Sequence, residues 1–269
     1  MKRQETNGRV AAFFDLDGTL IARPSLERRF FLELQRRRAI PMTNYFLWLA
    51  QAARLAPRGI QMMWHANKMY LRGVSTRDSQ EGHQRQGQPP RQGSGQAGLA
   101  VPRFFPGGVD QVAWHAQQGH AIVLVSGALA PLAQEMALAL VVRLAVRGIA
   151  ASVAVRATRL EETDGRWTGR IAGDAMFGKA KGQAVRQTAA EKGVDLPQCY
   201  AYGDSVSDRW MLEAVGRPVA VNPSLLLETL ARRKSWPVLK WAEGKKRMQS
   251  PSSTPGEQRN AEEIWENVG

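Results

Sequence analysis

The sequence predicts an α/β fold built on a parallel sheet, and two observations carry that reading. Short apolar runs alternate with helical stretches along the chain. Three of those runs end in polar groups: Asp15 with Asp17, Ser126 with Gly127, and Asp204 with Asp208. In an open sheet of this kind, ligands sit outside the carboxyl ends of the strands, so residues far apart in sequence can meet on one rim.

The elements follow in order. "RVAAFF" (9–14) is a short apolar run that ends at two acids and reads as a buried parallel strand. Residues 25–75 read as helices. "SLERRFFLELQRRR" opens at Ser25 as an N-cap, "TNYFLWLAQAARLA" at Thr43 after Pro41, and "GIQMMWHANKMYLRG" closes at Gly73. Their aromatic and methionine residues recur at helical spacing, the pattern of packing. Composition then shifts. Residues 79–98 are Gln, Gly and Pro with almost nothing to bury, and read as a loop or disordered insert. A helix is expected from about Gly108 to Gln118, a second buried strand at 120–125, and a turn and helix from Ser126 onward. "ASVAVRATRLEETDGRWTGRI" reads as strands around an Asp164-Gly165 turn. A helix from Lys179 to Lys192, a third strand in "CYAYGD", a short helix in "DRWMLEAVG" and a final strand in "PVAVN" complete the pattern. The polar stretch 244–269 is expected to fray.

The chain of 269 residues, 43% hydrophobic, can bury a substantial core. A single cysteine, Cys199, excludes an intrachain disulfide framework and fits a reducing compartment. The first ten residues are polar and basic, unlike a secretory leader, and no apolar run is long enough to span a bilayer, so a cytoplasmic location is expected. Net charge is +13. Residues 21–75 hold ten Arg and Lys against Glu27 and Glu33, and residues 231–249 hold seven against Glu243. Such faces are solvated, or they meet an anionic substrate, an anionic membrane or nucleic acid.

Two carboxylates one residue apart at a strand end repel each other and lose hydration, which a bound cation would offset. Carboxylates from two strands make a hard oxygen site that suits Mg2+. Ser126 and Gly127, read as a helix start, would offer free N–H groups to a phosphate. Gly18 lets the chain turn tightly after Asp17.

These residues stand in the order "DLDGT" (15–19), Ser126 after "IVLV", a lysine, and "GDSVSD" (203–208). In that arrangement the chain resembles the haloacid dehalogenase (HAD) superfamily of phosphohydrolases over roughly residues 9–243. It is most similar to the phosphoserine-phosphatase-like branch, subfamily IB. The resemblance implies a Rossmann-like three-layer sandwich as core (1–21 and 106–243). It also implies a helical cap inserted after the first strand, about 22–105, because Asp15 and Ser126 are 111 residues apart. It implies a Mg2+-dependent phosphatase in which Asp15 is the nucleophile, forming an aspartyl-phosphate, and Asp17 the general acid and base. Ser126, the Gly127 N–H and the lysine would hold the phosphoryl oxygens. The metal would bind the Asp15 carboxylate, the Asp17 carbonyl and Asp204, with Asp208 steadying its shell. Lys181, 23 residues before Asp204, fits the family's spacing better than Lys179.

The substrate implied is a small-molecule or lipid-like phosphate monoester. Phosphoserine fits poorly: the branch places an acid about nine positions after the nucleophile, where this chain has Pro24 beside Arg23, with Glu27 one turn on. A phosphotransferase or phosphomutase of the same fold is the alternative within the family. A non-catalytic protein that binds membrane or nucleic acid is the alternative outside it. The arginines flanking "YFLWLA" fit peripheral contact with an anionic membrane. No nucleic-acid motif is recognisable, and none is expected as a partner.

Overall fold

The computed structural model describes residues 9–59, 63, 65–76 and 102–242. The expected loop at 79–98 and the tail at 244–269 lie outside the described residues.

Strand β1 (Ala11–Phe14) starts the core. The chain then enters helices α1 (Leu26–Arg36) and α2 (Met42–Leu55) and returns to α3 (Pro106–Gln117) and β2 (Ala121–Leu129). Helix α4 (Ala130–Val146), β3 (Val153–Thr158) and the hairpin β4 (Leu160–Thr163) and β5 (Arg166–Ile171) follow. Then come α5 (Lys179–Lys192), β6 (Tyr200–Gly203), α6 (Arg209–Leu212), β7 (Arg217–Val221), α7 (Leu225–Arg233) and β8 (Val238–Leu239). Six strands pair in the order β3-β2-β1-β6-β7-β8, every pairing parallel.

Alternate residues of each strand serve opposite faces, the period-two rule that makes a sandwich. Ala12, Phe14, Leu124 and Tyr202 pack with Val112 of α3 and Leu140 of α4. Ala11, Phe13, Val123 and Ala201 pack with Val185 of α5, Met211 of α6 and Leu227 of α7. The core is therefore a three-layer α/β sandwich, as expected. The order reverses between β1 and β6, so the crevice beyond their carboxyl ends is the switch point where ligands bind in such sheets.

Several expectations are corrected. Strand β2 runs on to Leu129, and α4 starts only at Ala130. Pro131 explains the delay, because its fixed φ and missing N–H suit the first turn of a helix. Ser126 and Gly127 therefore stand in a strand that shifts register between Ser126 and Leu129, not at a helix start. The helix expected to close at Gly73 gives way to a 3₁₀ turn, Met69–Leu71. Helix α2 begins at Met42, one residue before the expected Thr43, and α3 at Pro106. Strand β3 joins the main sheet, and only β4 and β5 flank the Asp164-Gly165 turn, where both residues have positive φ. β7 is followed by α7 and β8, so "PVAVN" is not the last strand.

The connections into and out of the insertion after β1 run side by side. The Phe105 N–H donates to Leu20 O (2.9 Å), the Ala22 N–H donates to Arg103 O (3.3 Å), and Ile21 bridges Phe104 antiparallel. Further on, residues 73–76 lie along β5: Gly73 N–H donates to Trp167 O (2.7 Å), and Trp167 N–H to Val74 O (3.0 Å). Phe30 of α1 meets the buried Trp167 ring edge to face. Within "YFLWLA", Tyr45 and Trp48 pack on the core while Phe46 and Leu49 are exposed. Among the described residues no helix is long and apolar enough to cross a membrane.

Candidate active site

Asp15 leaves β1 still in the ladder, its N–H donating to Tyr202 O of β6 at 2.9 Å. The turn that follows closes on Gly18, whose N–H donates to Ile21 O at 2.8 Å. Gly18 has φ +92°, and a Cβ there would stand 2.2 Å from Asp204 Oδ2. Glycine is thus required twice, by backbone conformation and by the approach of a carboxylate.

Asp15, Asp17, Gly127, Lys181, Asp204 and Asp208 line one cavity of about 760 Å³ at the switch point, together with Arg23, Glu27, Arg28 and His65. Lys181 is central. Its Nζ donates to Asp15 Oδ1 at 2.6 Å and to Asp208 Oδ1 at 2.5 Å, and all three side chains are buried. Lys179, the other candidate, instead lies 5.4 Å from the Trp210 ring. Asp208 Oδ2 also accepts from the Ser205 N–H and hydroxyl, which fixes the loop after β6. Asp17 turns the other way: its Oδ1 accepts the Leu26 N–H of α1 at 2.8 Å. Ser126 is fully buried, its Oγ accepting the Ala128 N–H at 3.1 Å, and it is Gly127 and Ala128 that reach the cavity.

The electrostatics call for positive charge. Burial pushes the Asp15 carboxyl up to about 7; Lys181 opposes this, while Asp208 and Asp204 add to it. Asp17 is pushed up to about 7 by burial and then by Asp15, and Asp204 to about 6 by burial and then by Asp208. Burial works against the Lys181 ammonium, but Asp15 and Asp208 outweigh it and hold its pKa above the ordinary value. Asp15, Asp204 and Asp208 each offer an oxygen, all within 4.8 Å of one another. A buried set of three hard oxygens, two of whose carboxyls resist ionisation, fits a small divalent cation such as Mg2+.

Sequence reading gave no role to His65, read Arg28 only as part of a basic face for an anionic membrane, and noted Arg23 only as the neighbour of Pro24. His65 stacks on Phe177 (4.2 Å between centroids), and its pKa is lowered by burial and then by Lys68. Arg23 Nη2 donates to Asp204 Oδ2 at 2.9 Å. Only its place next to Pro24 could have marked Arg23, and His65 carried no signal inside a helical stretch.

A sequence profile of the haloacid dehalogenase-like hydrolases matches residues 12–213. The chain belongs to the haloacid dehalogenase-like hydrolases. One relative of this hydrolase, a "Probable phosphatase" of Mycobacterium tuberculosis H37Rv, is 31% identical over 246 residues, covering 87% of this chain and 76% of the relative. A solved protein of unknown function from Bordetella pertussis Tohama I is 28% identical, with a TM-score of 0.62 over 87% of this chain and 99% of that one. A phospho-aspartyl intermediate analogue of phosphoserine phosphatase, 16% identical, has a TM-score of 0.55 over 97% of this chain and 99% of that one, which shows a shared fold.

Proposed function

We propose that this hydrolase is a Mg2+-dependent phosphatase that cleaves phosphate monoesters through an aspartyl-phosphate on Asp15. The observation that carries the reading is the bridge from Lys181 Nζ to Asp15 and Asp208, beside the oxygen triad of Asp15, Asp204 and Asp208. Mg2+ held by that triad, with the Asp17 carbonyl, would neutralise charge on the phosphoryl group and on its attacking acid. In this reading residues 22–105 are a cap that covers the site and selects substrate.

An Asp15 carboxylate oxygen attacks phosphorus, and the ester P–O bond breaks as the acyl-phosphate bond forms. Asp17, whose carboxyl is pushed up by burial and then by Asp15, is suited to hold a proton and give it to the departing alkoxide. Water then attacks phosphorus, Asp17 takes its proton, and the bond to Asp15 breaks to release phosphate. Lys181 and the Gly127 N–H hold the phosphoryl oxygens as charge redistributes. Thr19 Oγ1, 3.3 Å from Asp15 Oδ2, restrains the second carboxylate oxygen.

A panel of phosphate monoesters tested with Mg2+ decides the matter. Turnover is expected with Mg2+ and not with excess EDTA. Asp15→Asn is expected to lose at least about 10⁴-fold while keeping its fold. Near-normal turnover by that variant would overturn the mechanism.

A further inference from the structure

We propose that the cavity selects phosphate monoesters whose alcohol carries a second anionic group, that Arg23 and Arg28 recognise that group, and that an ammonium there is disfavoured. The inference rests on the phosphatase reading above and adds the charge of the substrate's leaving portion.

Among the described residues, the acid that lines the cavity outside the central cluster is Glu27. Its Oε1 accepts from Lys68 Nζ at 2.5 Å and from the Tyr70 hydroxyl at 2.9 Å. The Lys68 side chain is 1% exposed, so the pair is buried on the lysine side. A substrate ammonium that took over Glu27 Oε1 would displace this buried lysine and strand it, a costly exchange. The Lys68 ammonium thus already balances the charge of Glu27, which weakens this acid as a receptor for a second cation.

The two arginines stand differently. Arg23 is 74% exposed, and its contact with Asp204 uses Nη2 of a planar fork of five N–H donors. Arg28 is exposed on the first turn of α1 and lines the same cavity. Both come from the segment that follows β1, whereas Lys181 comes from α5. With the acid cluster taken up by Lys181 and a divalent cation, and Glu27 balanced by Lys68, the exposed charges left among the described lining residues are these two guanidiniums. Guanidinium forks pair carboxylate or phosphate oxygens two at a time, which favours a second anion.

Four small esters separate the possibilities: 3-phosphoglycerate (a second anion), glycerol 3-phosphate (neutral), phosphoethanolamine (a cation) and phosphoserine (both). With saturating Mg2+, kcat/KM is expected to be highest for 3-phosphoglycerate and lowest for phosphoethanolamine. The span should be at least about tenfold and lie mainly in KM. Arg28→Gln should raise KM for 3-phosphoglycerate about tenfold and leave glycerol 3-phosphate within about twofold. Arg28→Glu should move the preference toward phosphoethanolamine. Arg23→Gln should act like Arg28→Gln, measured across a Mg2+ titration because Arg23 also touches Asp204. Calorimetric binding of the same four esters to the Asp15→Asn protein with Mg2+ gives a readout independent of turnover. Turnover without charge preference would overturn this inference and leave the phosphatase reading standing. Charge-selective binding lost in Arg28→Gln, without turnover of any ester by the parent protein, would do the reverse. Equal binding of all four by Asp15→Asn, or binding of none, would overturn the inference whatever the kinetics.

Discussion

Asp17 couples the chemistry to the insertion through one carboxyl group. Its Oδ1 accepts the first N–H of α1 next to the Ser25 cap, so the acid proposed to handle the proton also holds the start of the helix. Asp17→Asn keeps that acceptor and loses the proton. For an alkyl phosphate the variant should fall about 10²- to 10⁴-fold, the usual worth of general acid catalysis. p-Nitrophenyl phosphate needs no proton on its leaving group. The variant should therefore release a burst of p-nitrophenolate and then stall, because water still needs a base. Equal losses on both substrates with no burst would remove Asp17 from the proton path. Much of this residue-level picture was legible: "DLDGT", Lys181 and "GDSVSD" are local strings whose order alone implies convergence. Gly18 was legible only by half. Its turn shows in the sequence, but the oxygen that would strike a Cβ belongs to Asp204, 186 positions later, and no local pattern carries such a contact. Arg23 on Asp204 was hidden for the same reason.

At the scale of elements, the hairpin of β4 and β5 holds the insertion. Trp167 is 4% exposed, its backbone exchanges hydrogen bonds with residues 73–74, and its ring meets Phe30. Trp167→Ala should cost about 3–5 kcal/mol, read as a lowered denaturant midpoint, because a cavity forms where hairpin, α1 and the returning chain meet. A loss below about 1 kcal/mol would show that the hairpin is a bystander. The hairpin's turn was legible in Asp164-Gly165, since few other residues accept positive φ in succession. The attachment was not, for 73–76 carries no strand pattern. Helix α7 was overlooked because its leading Leu225 and Leu226 are exposed rather than periodic with a core, and β8 has only two residues. The register shift in β2 concealed the true position of Ser126, which periodicity alone placed on a helix.

For the whole molecule, the acid cluster should make stability depend on pH and, on the proposed reading, on Mg2+. Asp15, Asp17 and Asp204 have folded pKa values of about 7, 7 and 6, above the ordinary carboxylate range that the unfolded chain keeps. The native protein therefore holds protons that the unfolded chain releases. The contribution is fully present below about pH 4 and is lost as pH rises through about 6 to 7. Without metal, Tm should fall between pH 5 and pH 8, and less steeply in Asp15→Asn. Mg2+ should reverse the fall, adding about 2.7 kcal/mol at a hundred times its Kd, with the larger gain at pH 8, where protons no longer compete. Melting curves in EDTA and in Mg2+ at both pH values check this. A Tm indifferent to pH and to Mg2+ would mean that the cluster is not a cation site.

The stitch between Leu20–Ala22 and Arg103–Phe105 has a consequence for descent. To the sheet, everything between those segments is one loop, already closed at its neck. Doubling such a loop adds only about 0.6 kcal/mol of closure entropy. Lineages can therefore lengthen, shorten or exchange what lies above the neck while the rim of β1 and β6 stays unaltered. If the insertion selects the substrate as proposed, inheritance of the reaction and inheritance of the substrate are separable traits, and Arg23, just beyond the neck, stands at their border.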